Sequence, residues 1–228
     1  MAAQANSGLV HRVQQMVRER LLQAYNTVQV DPEHFLHHLR QAHGLQVTTY
    51  GELRALDIRL LDSLAKSTIR GARKIAAVEG AGLGFGGMLT LLPDISILAA
   101  ISVRTVQKLS LIYGFEYSTD EEKAELWIAL ATAAGLDISR EMFEKEVLQR
   151  FVPRVIERIA AKVGAEVAEK WVARVVPVLS SALGAGLNYY FVKGWGERAM
   201  RHFRQKNLEW RAPQTAPALP QNLPELNR

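Results

Sequence analysis

Two long stretches with almost no charge constrain what this chain can fold into. Between Glu79 and Arg104 lie 24 residues with Asp94 as their single charge, and the 18 residues between Arg174 and Lys193 carry none. Each stretch is near the lower length limit for a membrane span, but prolines interrupt both. Both are rich in small residues, which let helix backbones approach closely in lipid or out of it. They predict a central pair of Gly/Ala-rich apolar helical segments, either buried in a helical core or in contact with lipid.

Small residues, together with a few turn-forming residues, define a structural motif within and around these stretches. A glycine inside a helix costs about 1 kcal/mol relative to alanine, so several of them require a return from close packing. We therefore assign the motif a packing role. Its members are Gly82, Gly84, Gly86, Gly87, Pro93, Asp94, Tyr113, Gly114, Pro177, Gly184, Gly186 and Asn188.

Helical periodicity covers most of the remaining chain. Apolar residues three or four apart predict an amphipathic helix over Gly8–Val28, and Asp31-Pro32-Glu33 opens a short helix that Gly44 ends. Thr49 has capping-box spacing to the next glutamate and is predicted to open one long helix toward Glu79. No alternating strand pattern persists for more than a few residues.

Two further helices are predicted, from Pro93 to Tyr113-Gly114 and from Pro153 to Arg174. The fold class is therefore all-α, a single helical domain of six to eight helices. We divide the chain into an N-terminal amphipathic helical arm (1–45), a helical domain (46–211) and a disordered, proline-rich tail (212–228), because half of the eight prolines lie in the last 17 residues.

Several functional classes are excluded or disfavoured by composition and motif. The chain has no cysteine, which excludes disulfides, thiolate metal sites and cysteine nucleophiles. His34 and His38 are one helical turn apart but lack the carboxylate of a zinc-binding HExxH motif, so we predict no metal. Gly82–Gly87 matches GxGxxG but has no acidic residue where a dinucleotide fold needs one, so no cofactor is predicted.

No catalytic residue is assigned. The chain lacks a phosphate-binding loop and a nucleophile elbow, and the enzymatic alternative that stays open is a hydrolase using Glu79 and Asp94 as buried carboxylates. The start of the chain lacks the features of a secretory signal, so we do not expect export by the general secretory pathway.

Cations bracket the glycine-rich stretch and are the candidate binding residues. Each cation near a charged membrane contributes about 1 kcal/mol, so these side chains would suit the phosphates of anionic lipids. An ordinary solvated helix face is the equally weighted alternative. The candidates are Arg70, Arg73, Lys74, Arg104 and Lys108.

A second basic region, 193–211, includes Trp195, Phe203 and Trp210 and suits a membrane surface or a polyanion. A solvated helix face at a chain end is the favoured explanation, and no recognition fold supports nucleic acid as a partner.

Two motif blocks in the right order resemble the bacterial EcsC family. The first comprises GAGLGFGG at 80–87, LPDI at 92–95 and the segment 104–115 with its Tyr-Gly-Phe end, and the second comprises 176–189 and 199–203. The resemblance covers about residues 46–208, and Ser180-Ser181 depart from it where a glycine would be common. A fainter similarity of the 92–114 helix is to YcjF-like inner-membrane proteins.

The EcsC resemblance implies a cytoplasmic protein, peripheral at the inner face of the cytoplasmic membrane, with no established catalytic activity. The function expected is binding of anionic lipid or of a membrane protein complex, associated with transport or secretion. The alternative is a soluble scaffold or regulator that acts through protein partners, using the 8–28 helix in a partner's groove. The oligomeric state and the ligand are not specified by the sequence.

Overall fold

The fold, seen in a computed structural model, is described for residues 2–83, 91–138, 148–172 and 180–212. These residues form eight helices and, within those ranges, no strand, which confirms the all-α fold class. The helices are α1 (Ala2–Thr27), α2 (Pro32–His43), α3 (Tyr50–Ala55), α4 (Ile58–Leu83), α5 (Leu91–Ile112), α6 (Asp120–Ala133), α7 (Leu148–Val172) and α8 (Ser180–Arg211).

Local chemistry fixes the ends of several helices where the sequence places them. The Asp31 carboxylate accepts from the His34 backbone N–H at 2.7 Å, Pro32 is the first residue of α2, and Gly44 ends the helix with φ at 64°. At the end of α5, Gly114 has φ at 81° and the Phe115 N–H returns to the Ser110 carbonyl at 2.9 Å. These are the stop signals expected of glycine in the left-handed region.

The prediction of one long helix from Thr49 to Glu79 is wrong. Leu56 is extended, with ψ at 161°, and separates α3 from α4. The Asp57 side chain then accepts from the Arg59 N–H at 2.7 Å and starts α4. Leucines at helical spacing continue through this break, and the break is consequently invisible to periodicity.

Two other predicted starts also shift, and two segments merge. The helix expected at Pro153 begins at Leu148 and holds that proline inside its second turn, and α5 begins at Leu91 rather than at Pro93. The described part of the second apolar stretch, 180–192, and the basic region 193–211 share one continuous helix, α8.

The helices pack around α5, which contacts α1, α4, α6 and α8. The most extensive pair is α4 with α8, and they run antiparallel, since Asp62 meets Arg204 and Ile69 meets Gly196. A Cβ on Gly196 would lie 2.9 Å from Ile69 Cγ1, so these helix axes approach closely at a position that only glycine allows.

The first helix is part of this core. Its buried face (Val13, Val17, Leu21 and Ala24) is covered by α5 and α7, and Gln14 lies directly against Gly164 of α7. The division of the chain at residue 45 stays a prediction.

Part of the small-residue motif can be placed. Gly82 belongs to α4, Pro93 and Asp94 to the first turn of α5, and Gly184, Gly186 and Asn188 to α8. Outside the described residues lie the predictions for Gly84, Gly86, Gly87 and Pro177 and for the tail beyond residue 212.

Candidate membrane-binding surface

Residues 70–78 of α4 have a solvent-exposed face that combines two cations with two aliphatic side chains. Arg70, Lys74 and Val78 follow one another at four-residue spacing, and Ile75 lies beside them, so all four share one face. Ile75 is 56% exposed and Val78 is 73% exposed, which is unusual for side chains of this size. We call these four residues the α4 patch.

The α4 patch is the outer side of an otherwise buried helix. Its opposite face carries Ile69 and Ala76, which are 3% and 0% exposed and face the protein interior. Within the described parts of the chain, Arg70 and Lys74 form no ion pair with a carboxylate, so their charge is available to a ligand. Gly71, on the same face, has open space where a side chain would begin.

Arg73, predicted as part of the same cationic cluster, points elsewhere. Its guanidinium donates to the Tyr189 hydroxyl of α8 and lies 4.0 Å from the centre of that tyrosine ring. This cation–π contact joins α4 to α8. The structure therefore separates Arg73 from Arg70 and Lys74.

Arg104 and Lys108 lie one turn apart on α5. Arg104 is exposed, whereas Lys108 is half-buried with its Nζ 5.6 Å from the centre of the Phe35 ring of α2. Burial lowers the pKa of Lys108, and the neighbouring charge of Arg104 lowers it further. The five predicted cations thus do not form one cluster: two lie in the α4 patch, one lies between α4 and α8, and two lie on α5.

The basic region 193–211 is largely internal, which corrects the expectation that Trp195 sits at a membrane interface. Trp195 is 4% exposed and Phe203 is 0% exposed, although Trp210 is 50% exposed. Most of the cations here bind other helices. Their partners are the Ala133 carbonyl for Arg198 at 2.5 Å, Asp62 for Arg204 at 3.0 Å and Glu125 for Lys206 at 2.9 Å.

Glu125 is the centre of a charged contact between α6 and α8. It is 8% exposed, and its two carboxylate oxygens meet His202 at 2.7 Å and Lys206 at 2.9 Å. A buried carboxylate needs such partners, because an unpaired buried charge is strongly unfavourable. The acidic and basic regions of the sequence are therefore used, in part, to pair helices with each other.

The Tyr113-Gly114 motif forms a junction of four helices, α3, α4, α5 and α8. The Gly114 carbonyl accepts from Arg54 Nε at 2.9 Å, and the Asn207 amide donates to the carbonyls of Tyr113 and Arg54 at 3.1 Å each. The Tyr113 hydroxyl donates to Asp62 at 2.7 Å, and burial raises the pKa of that hydroxyl. This arrangement closes the ends of α3 and α5 onto α8.

Sequence reasoning did not identify Arg54, Asp62 or Asn207 as partners of this junction. Each lies on a different helix from the motif, and no local spacing connects them to it.

One helix is long and apolar enough to cross a membrane. It is α5, over Ile95–Ile112, and the described residues hold no second such window. However, 61% of that window is buried among the other helices, as in the central helix of a soluble core.

The other candidate sites gain little from the structure. His34 and His38 are exposed, and nowhere in the described ranges do three or more histidines and carboxylates gather as metal ligands would. The side chains of Glu79 and Asp94, the alternative catalytic pair, lie outside the described residues.

The fold and its surface define an all-helical protein built on an antiparallel α4–α8 pair with a cationic and aliphatic patch. Comparison with known families shows that the chain belongs to the EcsC protein family, whose profile matches residues 2–208 and thus includes α1.

Two curated relatives come from Bacillus subtilis (strain 168). Protein EcsC is 31% identical over 130 residues, 57% of this chain and 55% of that protein. A second relative, described as "Uncharacterized protein YdbA", is 21% identical over 174 residues, 72% of this chain and 64% of its own length. The chain therefore spans less than two thirds of the length of each of these two relatives. No solved structure matches it significantly.

Proposed function

We propose that this EcsC family protein is a non-enzymatic, membrane-peripheral protein that binds anionic lipid through the α4 patch. The observation that carries the proposal is that Arg70 and Lys74, which pair with no carboxylate among the described residues, lie beside the exposed Ile75 and Val78 on one helix face. Cations near an anionic surface contribute about 1 kcal/mol each. Aliphatic side chains that enter the headgroup region would add roughly 1 kcal/mol each, because more than half of their surface leaves water.

We expect this binding to be peripheral. The described helix that is long and apolar enough to cross a membrane is α5, and most of it is buried among the other helices. Arg104 is exposed and would add a further phosphate contact if α5 and α4 face the same membrane. Lys108 and Arg73 have lesser roles in the proposal, since each already packs against an aromatic ring. The cytoplasmic leaflet is the expected surface, because it carries the anionic lipids.

A protein partner is the competing explanation for the same patch. The variant of that idea in which α1 docks in a partner's groove requires α1 to leave its contacts with α5 and α7. The α4 patch needs no such rearrangement, so the test below is designed to separate a lipid surface from a protein ligand.

The first experiment is flotation of the full-length protein with neutral phosphatidylcholine vesicles and with vesicles that also contain phosphatidylglycerol. We expect binding to the anionic vesicles alone, and its loss in Arg70→Glu/Lys74→Glu. The matched control is Arg150→Glu/Arg158→Glu, which makes the same change in charge at two exposed positions of α7. Equal loss in both variants would reduce the proposal to net charge, and absence of flotation by the wild type would refute it in favour of a protein partner.

The second experiment tests the apolar part of the patch. Ile75→Gln/Val78→Gln should weaken anionic-vesicle binding about thirtyfold, whereas Leu60→Gln, at the other end of α4, should leave it unchanged. The remaining binding of the double variant should be more sensitive to salt, because only screened charge interactions are left. Unchanged binding would remove Ile75 and Val78 from the proposal.

A further inference from the structure

A cavity of about 610 Å³ lies on another part of the molecule, between the end of α1, α5, α6 and the start of α7. None of its lining residues belongs to α4 or α8, so it is separate from the α4 patch. Its volume falls within the range of small-molecule sites, which are commonly about 300–1,000 Å³.

Aromatic side chains form a rigid wall of this cavity. The rings of Tyr25 and Trp127 are 4.6 Å apart and tilted by 41°. Tyr117 is held by its hydroxyl, which donates to the Val30 carbonyl at 2.6 Å. Such fixed rings offer apolar contact area to a ligand at little cost in conformational entropy.

The same wall contains a polar group that lacks a partner. Trp127 is 0% exposed, and among the described residues its indole Nε1–H has no partner with full hydrogen-bond geometry. Burial raises the pKa of the adjacent Tyr25 hydroxyl and contact with the indole lowers it, but that contact falls short of a well-formed hydrogen bond. A buried donor without an acceptor is unfavourable, so an acceptor supplied by a ligand would stabilise the protein.

The charge around the cavity selects the kind of acceptor. Lys123 lines it, and none of the described residues that line it is a carboxylate. Lys123 has an acidic neighbour, Asp120, but their charged atoms are 3.9 Å apart on the exposed side of α6, where such pairs are weak. The remaining polar lining consists of amides, among them the buried Gln107, whose Oε1 accepts from the Val30 N–H at 3.2 Å.

We propose that this cavity binds a small organic carboxylate with an aromatic or aliphatic body. The carboxylate would accept from the Trp127 indole N–H and meet Lys123, while the body would lie against Tyr25 and Tyr117. This site is independent of the lipid-binding proposal, and either can fail without the other.

The test uses ¹⁵N-labelled full-length protein and follows the indole N–H resonances of its four tryptophans. The Trp127 resonance is assigned by its loss in Trp127→Phe. The probes are 3-phenylpropionate, decanoate and the uncharged 3-phenylpropionamide. We expect a saturable shift of the Trp127 resonance with at least one carboxylate, and binding of the amide about tenfold weaker because its hydrogen bond is not charge-assisted. A stronger response to phenylpropionate would indicate a small aromatic acid, and one to decanoate a fatty acid.

Two exposed variants keep the test independent of folding defects. Lys123→Gln should abolish the preference for carboxylate over amide, whereas Lys66→Gln, at an exposed position of α4, should preserve it. Gln149→Phe, at the exposed mouth of the cavity, should weaken binding of both probes. The proposal is overturned if no probe shifts the Trp127 resonance, or if acid and amide bind equally to the wild type.

Discussion

Replacement of Gly114 by alanine tests the junction at the end of α5, because two independent costs meet there. The residue has φ at 81°, which is unfavourable for any residue with a side chain. A Cβ would also lie 2.5 Å from Arg54 Cβ, 2.6 Å from the Tyr50 carbonyl oxygen and 2.8 Å from Arg54 Cα. Two of these atoms belong to the backbone of α3 and cannot move without displacing that helix.

A matched control separates the two costs. Gly135 ends α6 with the same φ of 81°, but a Cβ there would meet only Lys162 Cε at 3.5 Å, an ordinary contact. Gly135→Ala should therefore lose only the conformational term, about 1–2 kcal/mol. Gly114→Ala should lose this and an overpacking term of about 1–3 kcal/mol, for a total of roughly 2–5 kcal/mol.

Urea denaturation followed by circular dichroism measures both losses on the full-length protein. For a chain of this size 1 kcal/mol corresponds to about 2–4 °C in Tm, so Gly114→Ala should melt roughly 10 °C below the wild type. If the two variants lose the same free energy, the contact of α3 with the end of α5 is not tight, and the reasoning fails.

Three further predictions concern helix packing and stability. Gly196→Ala should destabilise the protein by about 1–3 kcal/mol because the added methyl group meets Ile69 of α4. Gly71→Ala, in open space on α4, should stabilise it by up to about 1 kcal/mol. Thermal melts of the two variants test both expectations. Asp62→Ala leaves the Tyr113 hydroxyl without its acceptor and should lower the free energy of unfolding, measured by urea denaturation, by about 1–3 kcal/mol. A smaller loss would contradict the hydrogen bond between Tyr113 and Asp62. Burial raises the pKa of Glu122, but hydrogen bonds from the residues just before α6 outweigh it, so the pKa is lowered. Its contribution should be complete above about pH 4.3 and lost as pH falls further, and the pH dependence of stability should flatten in Glu122→Gln.

Some parts of this fold follow directly from the sequence. The start of α2 at Asp31 and Pro32 and the stops at Gly44 and Gly114 are correct, because short-range hydrogen bonds and allowed backbone angles decide them. These interactions join residues within one turn of each other, so the sequence alone contains the information.

The helix α6 shows where periodicity gives no information. Its residues from Leu126 to Ala131 are all buried, so no polar face marks a helical repeat. A local signal was nevertheless present, since Thr119 and Glu122 form a complete capping box before it.

The motif residues were identified from the sequence, but their roles depend on distant partners. Gly114 matters because α3 lies against it, and that contact joins residues 60 positions apart. No spacing within one segment encodes such a contact.

The sequence by itself determined that the chain is helical, where several helices end and which residues carry charge. Only the tertiary structure decided which side chains remain available at the surface. Arg70 and Lys74 face solvent, whereas Arg73 contacts Tyr189. Trp195 is buried, whereas Trp210 is half-exposed. The physical reason is that a helix presents every side chain at a fixed angle, but whether that side chain meets water depends on the helices that pack against it.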